Sequence, residues 1–106
     1  MKKIKKDRLL DTSVKPMGTS EIRQQLFGIR GWKIARGRLV KCFKFKDFKR
    51  SLDFVNDVAM IAEKENHHPD FRLSYGFVEI RIWTHSIKGL SLKDFLLAGK
   101  IDLIKK

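Results

Sequence analysis

Glu63, His67, His68, Tyr75, His85 and Asp94 are the side chains whose types and spacing could move protons. In order they read Glu63, three residues, His67-His68-Pro69, five residues, Tyr75, nine residues, His85, eight residues and Asp94. The 106-residue sequence has only three histidines, and two of them are adjacent. Imidazole can give or take a proton at physiological pH, and a carboxylate beside it fixes its tautomer. General acid–base chemistry is therefore within reach of the set. Each residue also has a plain structural role. Glu63 can be a solvated carboxylate in a last helical turn, although it stands at the unfavourable end of the macrodipole. His67 and His68 can be loop residues, His85 can end a strand in water, and Tyr75 can fill the sheet. Asp94 fits N3 of a capping box, Ser91-Leu92-Lys93-Asp94. Three histidines and two carboxylates are also ligand types for zinc or iron. Adjacent histidines diverge in an extended chain, however, and neither H-x-x-x-H nor H-x-H spacing occurs, so no metal is expected.

The elements that must position these residues follow from periodicity and punctuation. Residues 1–18, polar and carrying Pro16 and Gly18, read as an N-terminal arm; residues 19–106 read as one domain. Thr19 and Ser20 can cap a short helix with Ile22, Leu26 and Phe27 as its apolar positions, stopped by Gly28. Gly31 and Gly37 punctuate a first hairpin, with Trp32, Ile34, Leu39, Phe43 and Phe45 facing inward and Lys41 interrupting that set. Asp47 caps the longest helix, which runs to about Glu65. Phe48, Leu52, Val55, Ala59 and Ala62 recur on one stripe, widened by Val58, with Phe54 and Ile61 on a flank that could meet another subunit. Pro69 disfavours helix before it, which puts the paired histidines in a helix-to-strand loop. Arg72 to Tyr75 and Phe77 to His85 form a second hairpin around Gly76. In its longer strand Val78, Ile80 and Ile82 point one way, and Glu79, Arg81, Trp83 and His85 the other. Ser91 opens a final helix with Leu92, Phe95, Leu96, Gly99 and Leu103 inward. The order helix-strand-strand-helix-strand-strand-helix predicts an α+β fold of two layers, a four-stranded antiparallel sheet with three helices on one face.

Composition narrows the class. Hydrophobic residues make up 42%, including eight Phe and two Trp, enough for a modest core. The single Cys42 excludes an internal disulfide and fits a reducing compartment. No run of 18 apolar residues exists to span a membrane. The basic start lacks the apolar segment of a signal peptide, so a cytoplasmic location is expected. Twenty-four Lys and Arg against twelve Asp and Glu give a formal charge of +12. Nucleic-acid binding could use such charge. Here the charge is spread along the chain, and no RNP pattern, zinc-finger spacing or helix-turn-helix accompanies it. A solvated basic surface is the better reading than a nucleic-acid site.

The spacing from Glu63 to Asp94 resembles the signature of the pterin-4a-carbinolamine dehydratases. The likeness begins near Gly31-Trp32, passes through "FKFKDF" and "AEKENHHPD", continues through "THSIKGLSLKDFLLAGKID", and covers about residues 19–104. Two positions depart from the family's habit: Asn66 stands where an Asp often precedes the histidines, and Phe71 where many relatives have Trp. The resemblance implies a lyase that dehydrates 4a-hydroxytetrahydrobiopterin to quinonoid dihydropterin in tetrahydropterin recycling. An acid protonates the departing C4a hydroxyl, the N5 lone pair expels it as water, and a base takes a ring proton. Each positioned proton transfer typically contributes about 10²–10⁴-fold. The resemblance further implies catalytic roles for His67 and His85, a substrate-contacting or second proton-transfer role for His68, and imidazole support from Glu63 and Asp94. Tyr75, Phe71 and Thr84 are the substrate-binding candidates it suggests. No cofactor is implied, because the pterin supplies its own electron push. Relatives are dimers and tetramers, so at least a homodimer is expected, together with a functional link to an aromatic amino-acid hydroxylase. The alternative is a basic protein- or nucleic-acid-binding module, a dimerisation or transcription cofactor on the same fold.

Overall fold

A computed structural model describes residues 16–106. Only Pro16 to Gly18 of the expected arm fall among them; the rest lies outside the described residues. The Met17 N–H donates to the Leu90 carbonyl at 2.9 Å, which ties this entry segment to the loop before the last helix.

The elements are α1 (Thr19–Leu26), β1 (Lys33–Ala35), β2 (Arg38–Lys44), α2 (Phe48–Glu65), β3 (Asp70–Ser74), β4 (Phe77–Ile82) and α3 (Leu92–Asp102). A single 3₁₀ turn, His85–Ile87, precedes α3. The strands form one antiparallel sheet in the order β1-β2-β4-β3. This is the expected two-layer α+β arrangement. Arg36 and Gly37 both have positive φ, 52° and 75°, the backbone that a two-residue hairpin turn requires. That turn sets the register Ala35↔Arg38 and Lys33↔Val40. The central strands pair Leu39 with Ile82 and Phe43 with Val78, so alternation puts Leu39, Phe43, Val78, Ile80 and Ile82 on the helix side, all buried. Lys41 shares this side, and its charge is met. Its Nζ donates to Asp102 Oδ1 at 2.9 Å and to the Arg30 carbonyl at 2.8 Å. Trp32 is buried in the core, and its Nε1 donates to the same carboxylate.

Both long helices are rotated from the stripes expected of them. In α2 the buried residues are Ser51, Phe54, Val58 and Ala62, while Phe48 and Leu52 are exposed. Phe54 fits between Phe43 and Phe45, with ring centroids 4.7 and 5.0 Å away. It is core, not an assembly surface. Ser51 can be buried because its hydroxyl lies 3.0 Å from the Tyr75 carbonyl and 3.1 Å from that of Asp47. In α3 the buried residues are Asp94, Phe95, Leu97, Ala98 and Ile101; Leu92, Leu96 and Leu103 are exposed. A polar residue holds each inward face, and a stripe drawn from apolar residues alone misses both.

The ends of α2 follow the sequence. Asp47 Oδ1 accepts the Arg50 N–H at 2.9 Å. Asn66 is left-handed at φ 50°, a conformation Asn tolerates better than most residues, and the His67 N–H returns to the Ala62 carbonyl at 3.1 Å. This Schellman closure fixes the backbone of His67 where the helix stops.

Candidate functional site

Two loops meet at one end of the β3–β4 hairpin. One is the helix exit, Asn66 to Pro69, which leads into β3; the other is Trp83 to Ser91, which follows β4. The register Asp70↔Arg81 brings the start of β3 beside the end of β4, so the two adjacent histidines and His85 belong to the same end of the sheet. His85 is not on the strand, as the alternation suggests, but in the 3₁₀ turn. β4 stops at Ile82 because Thr84 folds back on Gly89: the Thr84 N–H donates to the Gly89 carbonyl at 2.9 Å and closes a small loop.

Asp94 is the hub. Its side chain has no exposed surface, yet every approach to it is a donor. Oδ1 lies 2.5 Å from His67 Nε2. Oδ2 accepts the Ser91 N–H at 2.8 Å and the Thr84 hydroxyl at 3.0 Å. Since that hydroxyl proton points at Asp94, the Ser91 hydroxyl, 2.7 Å away, must donate to Thr84 Oγ1. A buried carboxylate is tolerable only when satisfied in this way. Capping and histidine-holding are therefore simultaneous in Asp94. One oxygen finishes the helix start; the other reaches His67.

The same geometry sets the His67 tautomer. Nε2 carries the proton donated to Asp94, which leaves Nδ1 with its lone pair. No partner from the described residues occupies Nδ1, and the ring is 12% exposed, so it has one narrow face toward solvent. His68 differs. Its Nε2 lies 2.5 Å from Glu63 Oε2, but the pair is open to water, at 55% and 76% exposure. That contact orients the ring loosely and contributes little to stability. His85 stacks on Trp83, with centroids 4.3 Å apart and planes 7° from parallel.

The structure thus joins His67, Asp94 and Thr84 in one bonded chain that ends one residue before His85, and pairs His68 with Glu63. Phe71 sits on the edge strand β3 opposite Ile80, on the helix side and 36% exposed. Tyr75 is not brought to this cluster. It occupies the turn at the far end of the hairpin, five residues beyond Asp70, roughly 17 Å away at 3.4 Å per residue. Its carbonyl serves α2 through Ser51. Two participants were missed from sequence: Ser91, read only as a cap, and Trp83, read only as an outward residue. The signal for Trp83 is its place two residues before His85 on the same side of the chain. Among the described residues no group of three or more His, Cys, Asp or Glu side chains converges to hold a metal ion.

A family model described as pterin 4 alpha carbinolamine dehydratase matches residues 15–104. A protein of Halorhodospira halophila named "Putative pterin-4-alpha-carbinolamine dehydratase" is 43% identical over 93 residues, 86% of this chain and 85% of that one. A Rickettsia bellii protein of the same name is 43% identical over 94 residues, covering 87% and 83%. Among solved structures, a transcriptional coactivator/pterin dehydratase from Brucella melitensis matches with TM-score 0.79 and 32% identity, covering 83% of this chain and 96% of that one. A pterin dehydratase-like RuBisCO assembly factor of the alpha-carboxysome shares the fold at TM-score 0.56 and 19% identity, over 67% and 82% of the two chains.

Proposed function

The chain belongs to the pterin 4 alpha carbinolamine dehydratase family, and on that premise we propose that it dehydrates a 4a-hydroxytetrahydropterin to the quinonoid dihydropterin. The observation that carries the reading is the buried Asp94, which holds His67 in a single tautomer. A fold shared with an assembly factor would not by itself need such a group. His67 Nδ1, with its lone pair free, is the base that takes the ring proton. An aspartate behind the imidazole stabilises the imidazolium that results. His85 is the acid that delivers a proton to the C4a oxygen. The C4a–O bond breaks, the N5 lone pair forms the new C=N bond, and water leaves with the delivered proton. Stacking on Trp83 restricts the His85 ring. His68 contacts the substrate or relays a second proton, with Glu63 behind it. Phe71 bounds the substrate, whereas Thr84, buried and hydrogen-bonded to Ser91 and Asp94, acts through Asp94, and Tyr75 at the far turn stands outside this site.

The test is direct. Purified protein accelerates loss of the 4a-hydroxyl over the spontaneous rate, and does so in chelator. His67→Ala and His85→Ala each reduce the rate by about 10²-fold or more while remaining folded by circular dichroism. A wild-type rate equal to the spontaneous one overturns the proposal; a rate lost in chelator and restored by zinc moves it to metal chemistry.

A further inference from the structure

The open face of the sheet holds a second concave site, which the dehydration chemistry does not use. Between the β1–β2 hairpin and β4 lies a cleft of about 380 Å³ lined by Lys33, Arg36, Arg38, Val40, Glu79 and Arg81. Its one carboxylate is already matched, since Arg81 pairs with Glu79 at 2.6 Å. Lys33, Arg36 and Arg38 have no acidic partner among the described residues. Arg38 Nε is enclosed without any acceptor, a costly state for a charged donor unless a ligand supplies one. The guanidinium lies 4.2 Å from the centroid of Trp83, the ring on which His85 stacks. Trp83 therefore touches both the cationic cleft and a residue of the proposed active site.

We infer that this cleft receives an oxyanion, a phosphate or a carboxylate, carried on the side chain of the pterin substrate. The inference rests on the dehydratase reading. A pterin ring beside His85 extends its side chain past Trp83 toward Arg38, whose guanidinium can bind an oxyanion through two parallel hydrogen bonds. Arg36, held at the tip of the hairpin turn, and Lys33 add charge from the rim. A nucleic-acid backbone suits the cleft less well. The cations surround a hollow, with Glu79 in its wall, and do not form the continuous track that a strand of phosphates follows.

Calorimetry on the full chain separates the possibilities, using two 7,8-dihydropterins that differ only in a neutral dihydroxypropyl side chain or its phosphate monoester. The phosphorylated probe binds about tenfold tighter or more at low salt, and inorganic phosphate removes that margin. Arg38→Ala abolishes the margin. The combined Lys33→Gln and Arg36→Asn variant, altered only at exposed positions, shrinks it several-fold and decides the matter if Arg38→Ala fails to fold. Equal binding of the two probes by wild-type protein that still turns over a neutral 4a-hydroxypterin overturns this inference alone. A margin that survives in the variants also overturns it. So does a single-stranded oligonucleotide that outbinds the phosphorylated probe and is lost in the same variants. Failure to bind either pterin overturns both this inference and the dehydratase reading.

Discussion

Asp94 concentrates the chemistry of the site in one side chain, and its substitutions separate structure from catalysis. Asp94→Ala takes the acceptor from the buried Thr84 hydroxyl and Ser91 N–H and from His67 Nε2, whose ring keeps only a narrow face toward solvent. Each buried orphan costs about 1–3 kcal/mol, so chemical denaturation should register a loss of about 3 kcal/mol or more. A cap alone would cost only about 1 kcal/mol. Asp94→Asn keeps the volume and one acceptor oxygen but presents an amide donor to one of its former partners. Its kcat should fall by well over tenfold while most of the stability loss is spared; an Asn variant with wild-type kcat would make Asp94 purely structural. Glu63→Gln gives the contrast. The exposed pair with His68 contributes at most about 1 kcal/mol, so its melting temperature should barely move, and any kinetic effect should appear in KM more than in kcat.

Helix exit geometry decides where His67 stands. Asn66 holds the left-handed position that lets the chain turn from α2 into β3. Asn66→Gly should be close to neutral, whereas Asn66→Val should cost about 1–2 kcal/mol for a branched side chain at positive φ. Activity should fall with it as His67 is pulled from Asp94. The rotation of α2 gives a second check at this scale. Phe54→Ala opens a hole among Phe43, Phe45 and Val58 and should cost about 3–5 kcal/mol. Phe48→Ala, on the exposed side, should cost under about 1 kcal/mol. Equal losses from the two substitutions would contradict the observed packing.

For the whole molecule, the formal charge of +12 sets the terms of any assembly. Two copies of so basic a chain repel at low ionic strength and approach more readily once salt screens the charge, with a Debye length of about 10 Å at 0.1 M. We expect a dimer or larger species whose association tightens between low and moderate salt. Sedimentation equilibrium reads this directly, and a 12.4 kDa species at every salt concentration would refute it. Phe54 plays no part in that contact because it is core. The exposed apolar residues on the helix layer are Phe27, Leu92, Leu96 and Leu103, with Phe48, Leu52 and Met60 on α2. Among the described residues no helix is long and apolar enough to cross a membrane.

Local rules were enough to read much of this protein. Glycine punctuation, the Asp47 cap, the Pro69 stop and strand alternation gave the order of elements and the two-layer class, because each acts over a few residues. The spacing from Glu63 to Asp94 picked out the candidate set through its resemblance to a family signature, since no local rule of helix or strand geometry singles out those residues. Tertiary structure alone decided which way each helix turns and which candidates meet. Ser51 and Asp94 face inward because partners more than twenty residues away satisfy them: the Tyr75 carbonyl for the one, His67 for the other. No periodicity of apolar residues records such a partner. Tyr75 belongs to the same sequence pattern as His67 and yet lies at the opposite end of the hairpin. The hairpin around Gly76 already places Tyr75 at its turn; only the folded sheet shows that the histidine loop and the loop after β4 meet at the other end.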